Sequence, residues 1–284
     1  MKRLSAYLHI GAASILWGSN GVIVNLVELH PLSIAFFRVL IGGATLTLAS
    51  ILMKGSKILR IKGFFKKLTA LGALLAAGWY FLFQAMKLIP IGAAVLINYL
   101  APVFVAAMAP VILGEGVERR LIIAIGLSIL GVFSISYHGL GSGEMNTLGV
   151  IFGLLAAVSY GGFVIYSKQV LTSLPYYLVA MYSYLISALI LSPSLLLIRS
   201  SLTETSILLL VLMGVLNTGV AVTLYLRGLE AVKAQEAATI TYLEPLSAMV
   251  FGYFLLGQEV GVGMMLGGAL ILASQYLVIR GELI

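Results

Sequence analysis

Residues 98–102 read NYLAP and residues 241–245 read TYLEP. The two stretches lie 143 residues apart. At that offset Tyr99, Leu100 and Pro102 fall on Tyr242, Leu243 and Pro245, while Ala94 falls on Ala237 and Ile97 on Ile240. Eleven residues beyond each proline stands a Leu-Gly pair, Leu113-Gly114 and Leu256-Gly257. The same offset puts Trp17-Gly18 on Tyr160-Gly161. Similarity at one fixed offset is the signature of an internal repeat. Apolar helices share a small alphabet, so chance is the competing account. The agreement of prolines, Leu-Gly pair and aromatic-Gly pair on a single offset counts against it.

Composition says what is repeated. The chain has 284 residues, is 61% hydrophobic and only 10% charged, with a mean hydropathy of +1.11. A soluble domain is about 25% charged. The chain therefore reads as a polytopic membrane protein with no polar block large enough for a soluble domain. It has no cysteine, which excludes disulfides, thiol catalysis and cysteine-ligated metals. The net charge of +7 reads as loop lysines and arginines beside a membrane surface, not as a nucleic-acid footprint. Lys2 and Arg3 precede an apolar run that reaches about Leu26 without a convincing cleavage site, so it reads as a retained span.

A helix needs about 20 mostly apolar residues to cross the hydrocarbon core. Ten such runs are present, at about 5–26, 32–53, 67–88, 91–113, 119–137, 147–169, 176–198, 206–228, 236–256 and 260–280. With ten spans, both termini and every even-numbered loop share one side. That side carries Lys2, Arg3, Lys54, Lys57, Arg60, Lys62, Lys66, Lys67, Arg119, Arg120, Lys168, Arg227, Lys233 and Arg280. The other side carries Lys87 and Arg199, and Arg38 lies inside a span. The positive-inside rule then predicts cytoplasmic termini. Five spans per half is an odd number, so residues 1–140 and 141–284 form halves of opposite orientation. The expected fold is all-α: ten transmembrane helices in two inverted five-helix repeats around a central cavity. Inverted repeats recur in secondary transporters, with the binding site near the midplane.

Several stretches carry a family resemblance. "SILWGSN" (14–20), "AFFRVLIGG" (35–43) and "AMKLIPIGAAVLINYLAPVF" (85–104) followed by "LGE" (113–115) resemble the EamA-type branch of the drug/metabolite transporter superfamily. "EAATITYLEPLSAMVFGYFLLGQE" (236–259) resembles that branch's second repeat, with the usual Gly-Glu displaced by one at Glu259. The resemblance covers nearly the whole chain. It implies ten helices in two inverted halves and transport of small metabolites, often amino acids. Export, as the direction of transport, is also implied only by the resemblance.

Glu244 is the leading candidate for chemistry. It lies about nine residues into its span, roughly 13 Å along a helix, near mid-membrane. A charge there costs on the order of 3 kcal/mol, so it should face protein or water rather than lipid. It is a candidate substrate-binding and proton-coupling carboxylate; the alternative is a structural glutamate bonded to a neighbouring helix. Thr241 and Ser247 share its face at three-residue spacing. Pro102 and Pro245 are candidate hinges, because a proline inside a helix frees the carbonyl four residues back. Those carbonyls belong to Asn98 and Thr241. Ordinary kinking is the alternative. Mid-span aromatic and amide residues gather on the same helices: Trp17, Tyr160, Tyr99 and Tyr242 as repeat-related pairs, with Tyr80, Gln84, Asn217 and Tyr225 in the third and eighth spans. They are candidates to stack on a substrate or cage a cationic amine; packing against Gly18 and Gly161 is the alternative. Arg38 could bind a substrate carboxylate, but the resemblance favours a structural role. Gly263 and Gly267 permit close helix packing in the last span, favoured over a dimer contact.

Enzyme readings fare badly. There is no HExxH pair, GxSxG elbow or Walker loop, and His9, His30 and His138 are far apart. No cofactor, metal or nucleic-acid partner is expected. The predicted protein is a multi-pass transporter of the cytoplasmic or inner membrane. It is a monomer rather than a dimer and exports an amino acid or similar metabolite by alternating access, with proton coupling. Two alternatives stand beside it: uptake of a quaternary amine or other organic cation, and a non-transporting membrane scaffold or receptor.

Overall fold

The structure is a computed structural model that describes residues 3–54, 63–101, 103–104, 108, 119–142, 145–171, 173–197, 202–229, 240–241 and 243–281. Among them there is no β-strand. The helices are α1 (Arg3–Gly18), α2 (Asn20–Leu26), α3 (Pro31–Lys54), α4 (Phe65–Leu88), α5 (Ile91–Asn98) and α6 (Arg119–Ser142) in the first half. The second half has α7 (Thr147–Leu171), α8 (Tyr176–Leu191), α9 (Glu204–Gly214), α10 (Ala221–Leu229), α11 (Leu243–Leu256) and α12 (Val262–Gly281). A 3₁₀ turn, Ser192–Leu197, extends α8, and a π-helical segment, Val215–Val220, joins α9 to α10. Among the described residues, five helical stretches are long and apolar enough to cross a membrane: Pro31–Leu52, Phe65–Leu88, Thr147–Ser167, Tyr177–Leu196 and Glu204–Tyr225.

Parts of the expected fourth and ninth spans, 91–113 and 236–256, lie outside the described residues, and three others differ in detail. The first divides at Ser19, whose hydroxyl donates to the Leu16 carbonyl at 2.7 Å. Such back-bonding competes with the helix ladder. The eighth carries the π segment, a form that appears mostly as short bulges at functional sites. The fifth runs on to Ser142, past its expected end near residue 137, because nothing in "HGLGS" breaks a helix outright.

The packing repeats itself with the halves exchanged. The first-half helix α1 packs on α10 and α11, and its counterpart α7 packs on α4 and α5. The second spans of the two halves, α3 and α8, pack on each other, as do the fifth spans, α6 and α12. In the α6–α12 pair, a Cβ on Gly267 would come 2.4 Å from the Gly131 carbonyl oxygen, so the backbones touch. Ser128 donates across the same contact to Ser274 at 2.8 Å. Close approach through small residues is how membrane helices gain packing that lipid cannot supply. The glycine pattern in the last span is therefore used inside the molecule.

Buried side chains gather where the two halves meet. Ile91, Ala93, Ala94, Leu96 and Ile97 of α5 are fully buried. The outward faces of α6, α7, α11 and α12 carry exposed Ile, Leu, Phe and Val side chains, as a lipid-facing surface requires.

Candidate functional site

Helix α11 begins at Leu243, so Glu244 and Pro245 stand in its first turn. Proline is tolerated there because the N–H it lacks would have had no helical partner. The expected mid-helix kink is thus realised as a helix start, after a turn at Thr241. The placement puts Glu244 at the end of α11 where the helix dipole favours negative charge. The Thr241 carbonyl is not left free. It accepts from the Glu244 N–H at 2.9 Å and from the Tyr99 hydroxyl at 2.6 Å. The same hydroxyl lies 3.0 Å from Glu244 Oε2. Tyr99 follows α5, so this constellation joins the equivalent breaks of the two halves.

Glycine lets the broken segments approach. A Cβ on Gly18 would come 2.0 Å from Ser247 Oγ and 2.9 Å from the Glu244 carbonyl oxygen. Its repeat mate Gly161 faces the carbonyl of Ala101, the repeat mate of Glu244, at 3.3 Å. The same contact is built twice, and only one copy carries a carboxylate.

A second polar chain runs from the break in the first span. Trp17 Nε1 donates to the Asn217 carbonyl at 2.9 Å, and its ring lies 5.4 Å from that of Tyr225. The Asn217 amide, in the π segment, donates to Asn20 Oδ1 at 2.7 Å and to Ser19 Oγ at 3.0 Å. Asn20 Oδ1 also accepts from Arg38 Nη1. The guanidinium of Arg38 lies over the Trp79 ring, 3.7 Å from its centroid. Arg38 is 1% exposed and Asn217 2%. It interacts electrostatically with Tyr184 and Glu244.

Of the predicted residues, Glu244, Thr241 and Tyr99 fall in the first of these networks, and Trp17, Asn217, Tyr225 and Arg38 in the second. Tyr160 is 46% exposed, and its ring stacks on Phe163 at 6.3 Å. Asn98 ends α5, half-buried. Tyr80 and Gln84 form a separate group: Gln84 Nε2 donates to the Tyr80 hydroxyl at 3.1 Å, and the Tyr80 ring stacks near His30 and Phe152. Tyr242 and Pro102 lie outside the described residues. Asn20, Trp79 and Tyr184 are additions that sequence reasoning missed. The signal for Asn20 was present as a second polar residue beside Trp17-Gly18 in mid-span. Among the described residues no three His, Asp or Glu side chains form a metal-ligand set. A cleft of about 200 Å³ bounded by Leu26, Glu28, Leu29, Leu202, Thr203, Thr205 and Ser206 contains none of the predicted site residues.

Comparison with known proteins gives this arrangement a context. The EamA-like transporter family matches the chain twice, over residues 4–137 and 147–280. An uncharacterized transporter of Archaeoglobus fulgidus is 28% identical over 262 residues, covering 92% of each chain. The uncharacterized transporter YwfM of Bacillus subtilis is 28% identical over 280 residues, covering 94% of this chain and 93% of its own. A solved crystal structure of a protein shares the fold with a TM-score of 0.67 at 19% identity, covering 96% of this chain and 95% of that one.

Proposed function

The chain belongs to the EamA-like transporter family, and within it we propose a proton-coupled exporter of amino acids or similar small metabolites. The observation that carries this reading is the Tyr99–Thr241–Glu244 constellation between the two halves. A phenol has one proton to give, and a backbone carbonyl can only accept. The Tyr99 hydroxyl therefore donates to the Thr241 carbonyl, the nearer of its two acceptors at 2.6 Å. Its contact with Glu244 is then best satisfied when the carboxyl carries a proton of its own and donates to the phenol oxygen. A substrate amine arriving at Glu244 displaces that proton, and substrate and proton compete for one group.

The Trp17 and Tyr225 rings pair at 5.4 Å, and Trp17 adjoins Gly18, which packs on the Glu244 carbonyl. Rings of this kind attract a cationic amine. Residues 1–140 and 141–284 act as the moving bodies, with the bond from Tyr99 to Thr241 made and broken between them. The fourteen lysines and arginines on the terminal side support cytoplasmic termini and residence in the cytoplasmic or inner membrane. The working unit is the monomer, and the energy comes from a gradient rather than from ATP.

A stabilisation screen on purified protein tests the substrate class. Ligand at a hundred times its Kd raises stability by about 2.7 kcal/mol. Amino acids should raise Tm. A shift confined to choline-like cations would replace the reading with organic-cation uptake. Neither class shifting Tm, together with no solute or proton flux in liposomes, would favour a non-transporting protein.

A further inference from the structure

Arg38 is a fully buried cation whose charge is incompletely answered. One guanidinium nitrogen reaches the neutral Asn20 amide. Its Nε is buried with no hydrogen-bond partner among the described residues, and so is the indole Nε1 of Trp79, the ring over which the guanidinium lies. The carboxyl whose negative charge stabilises Arg38 is that of Glu244. Glu244 is engaged with Tyr99. An isolated buried charge is expensive, and an unmade hydrogen bond at a buried donor adds to the cost. The guanidinium Nε–H and the indole N–H of the ring it covers are two unpaired donors in one buried place, and a planar, two-oxygen anion can accept from both.

The charges are also divided between the halves. Arg38 belongs to the first and its repeat mate is Met181; Glu244 belongs to the second and its repeat mate is Ala101. The Trp17–Asn217–Asn20 chain joins the two halves and ends at Arg38.

We propose that Arg38 and Trp79 form a carboxylate subsite, so that a zwitterionic substrate bridges from Arg38 of the first half to Glu244 of the second. This rests on the amino-acid reading above. A ligand that engages both ends ties the halves together, while an amine or an acid alone engages one. Trp79 contributes by donating Nε1–H to a carboxylate oxygen, and Arg38 by donating Nε–H to the other.

The test uses Tm shifts of purified full-length protein with the standard amino acids. The best binder is then compared with its decarboxylated amine and its deaminated acid. Trp79→Phe keeps an aromatic ring at the guanidinium but removes the Nε1–H donor together with the second ring, so Arg38→Lys, which keeps the charge, is tested beside it. A hydrogen bond to a charged group carries about 1.5–3 kcal/mol, so Trp79→Phe should weaken the amino acid and the deaminated acid about tenfold or more. The amine should bind the variant as it binds the wild type. Equal weakening of amine and amino acid, or no weakening of either, overturns the subsite while leaving the transporter reading intact. Acid binding that depends on Trp79, with no binding of amines, upholds the subsite and refutes the role given to Glu244. A wild type that binds none of the carboxylate-bearing probes overturns the subsite too.

Discussion

The crossing of α1 with α11 and the crossing of α7 with α5 are the same contact made twice, and they differ in what they carry. Gly18 presses on the carbonyl of Glu244, and Gly161 presses on the carbonyl of Ala101. The first crossing is the tighter one. It is also where the first span divides at Ser19 and where the α11 carboxyl meets Tyr99. The second keeps α7 as one continuous helix from Thr147 to Leu171. Duplication therefore supplied the frame, and divergence placed one breaking helix and one carboxylate at a single crossing. Irregular backbone at membrane depth is tolerated where it is buried in protein or lines a cavity, and here it coincides with the polar residues.

The comparison can be broken most directly by moving the charge. Glu244→Ala should weaken amino-acid binding at least about thirtyfold, the range for removing one partner from a buried charged contact. Adding Ala101→Glu in the same chain should not restore it, because the Tyr99 hydroxyl and the Trp17–Asn217–Asn20 chain are engaged at the Gly18 crossing. Titration of Tm against ligand reads both. Next in size, Gly18→Ala should cost about 1–3 kcal/mol by overpacking, since its Cβ would fall 2.0 Å from Ser247 Oγ. Gly161→Ala, with its nearest neighbours at 3.3 Å, should cost well under half as much. Thermal melts of the two variants side by side measure the asymmetry. Tyr99→Phe removes the hydrogen bond between the halves and should lower substrate flux in liposomes about tenfold, one bond to a charged group. The smallest effect belongs to Tyr80→Phe. Its cluster with Gln84 and His30 stands apart from Glu244, so flux should stay within about twofold of wild type.

The frame was legible because membrane helices advertise length and apolarity, and because proline, tyrosine and the Leu-Gly pair kept their spacing. The carboxylate was legible because charge inside an apolar run is costly and therefore conspicuous. The partners were not. Whether Asn20 meets Arg38 or Asn217 is set by the rotation and approach of three helices, and no local pattern encodes it. The π segment at Asn217 has no proline or glycine pair to announce it within "VLNTGV" beyond a single Gly219. Trp79 looks like any core aromatic until a guanidinium lies across it. Tyr80 and Gln84 were grouped with the site by depth in the span, but α4 turns them toward His30.

The central claim is that Glu244 exchanges its proton for substrate. It is tested by reconstituting wild type and Glu244→Gln in liposomes, imposing a pH gradient, and following uptake of an amino acid that stabilises the wild type. The account predicts gradient-driven flux in the wild type. It predicts no response to the gradient in Glu244→Gln, which should still fold and melt cooperatively. A Glu244→Gln protein whose flux keeps the full pH dependence of the wild type would contradict it.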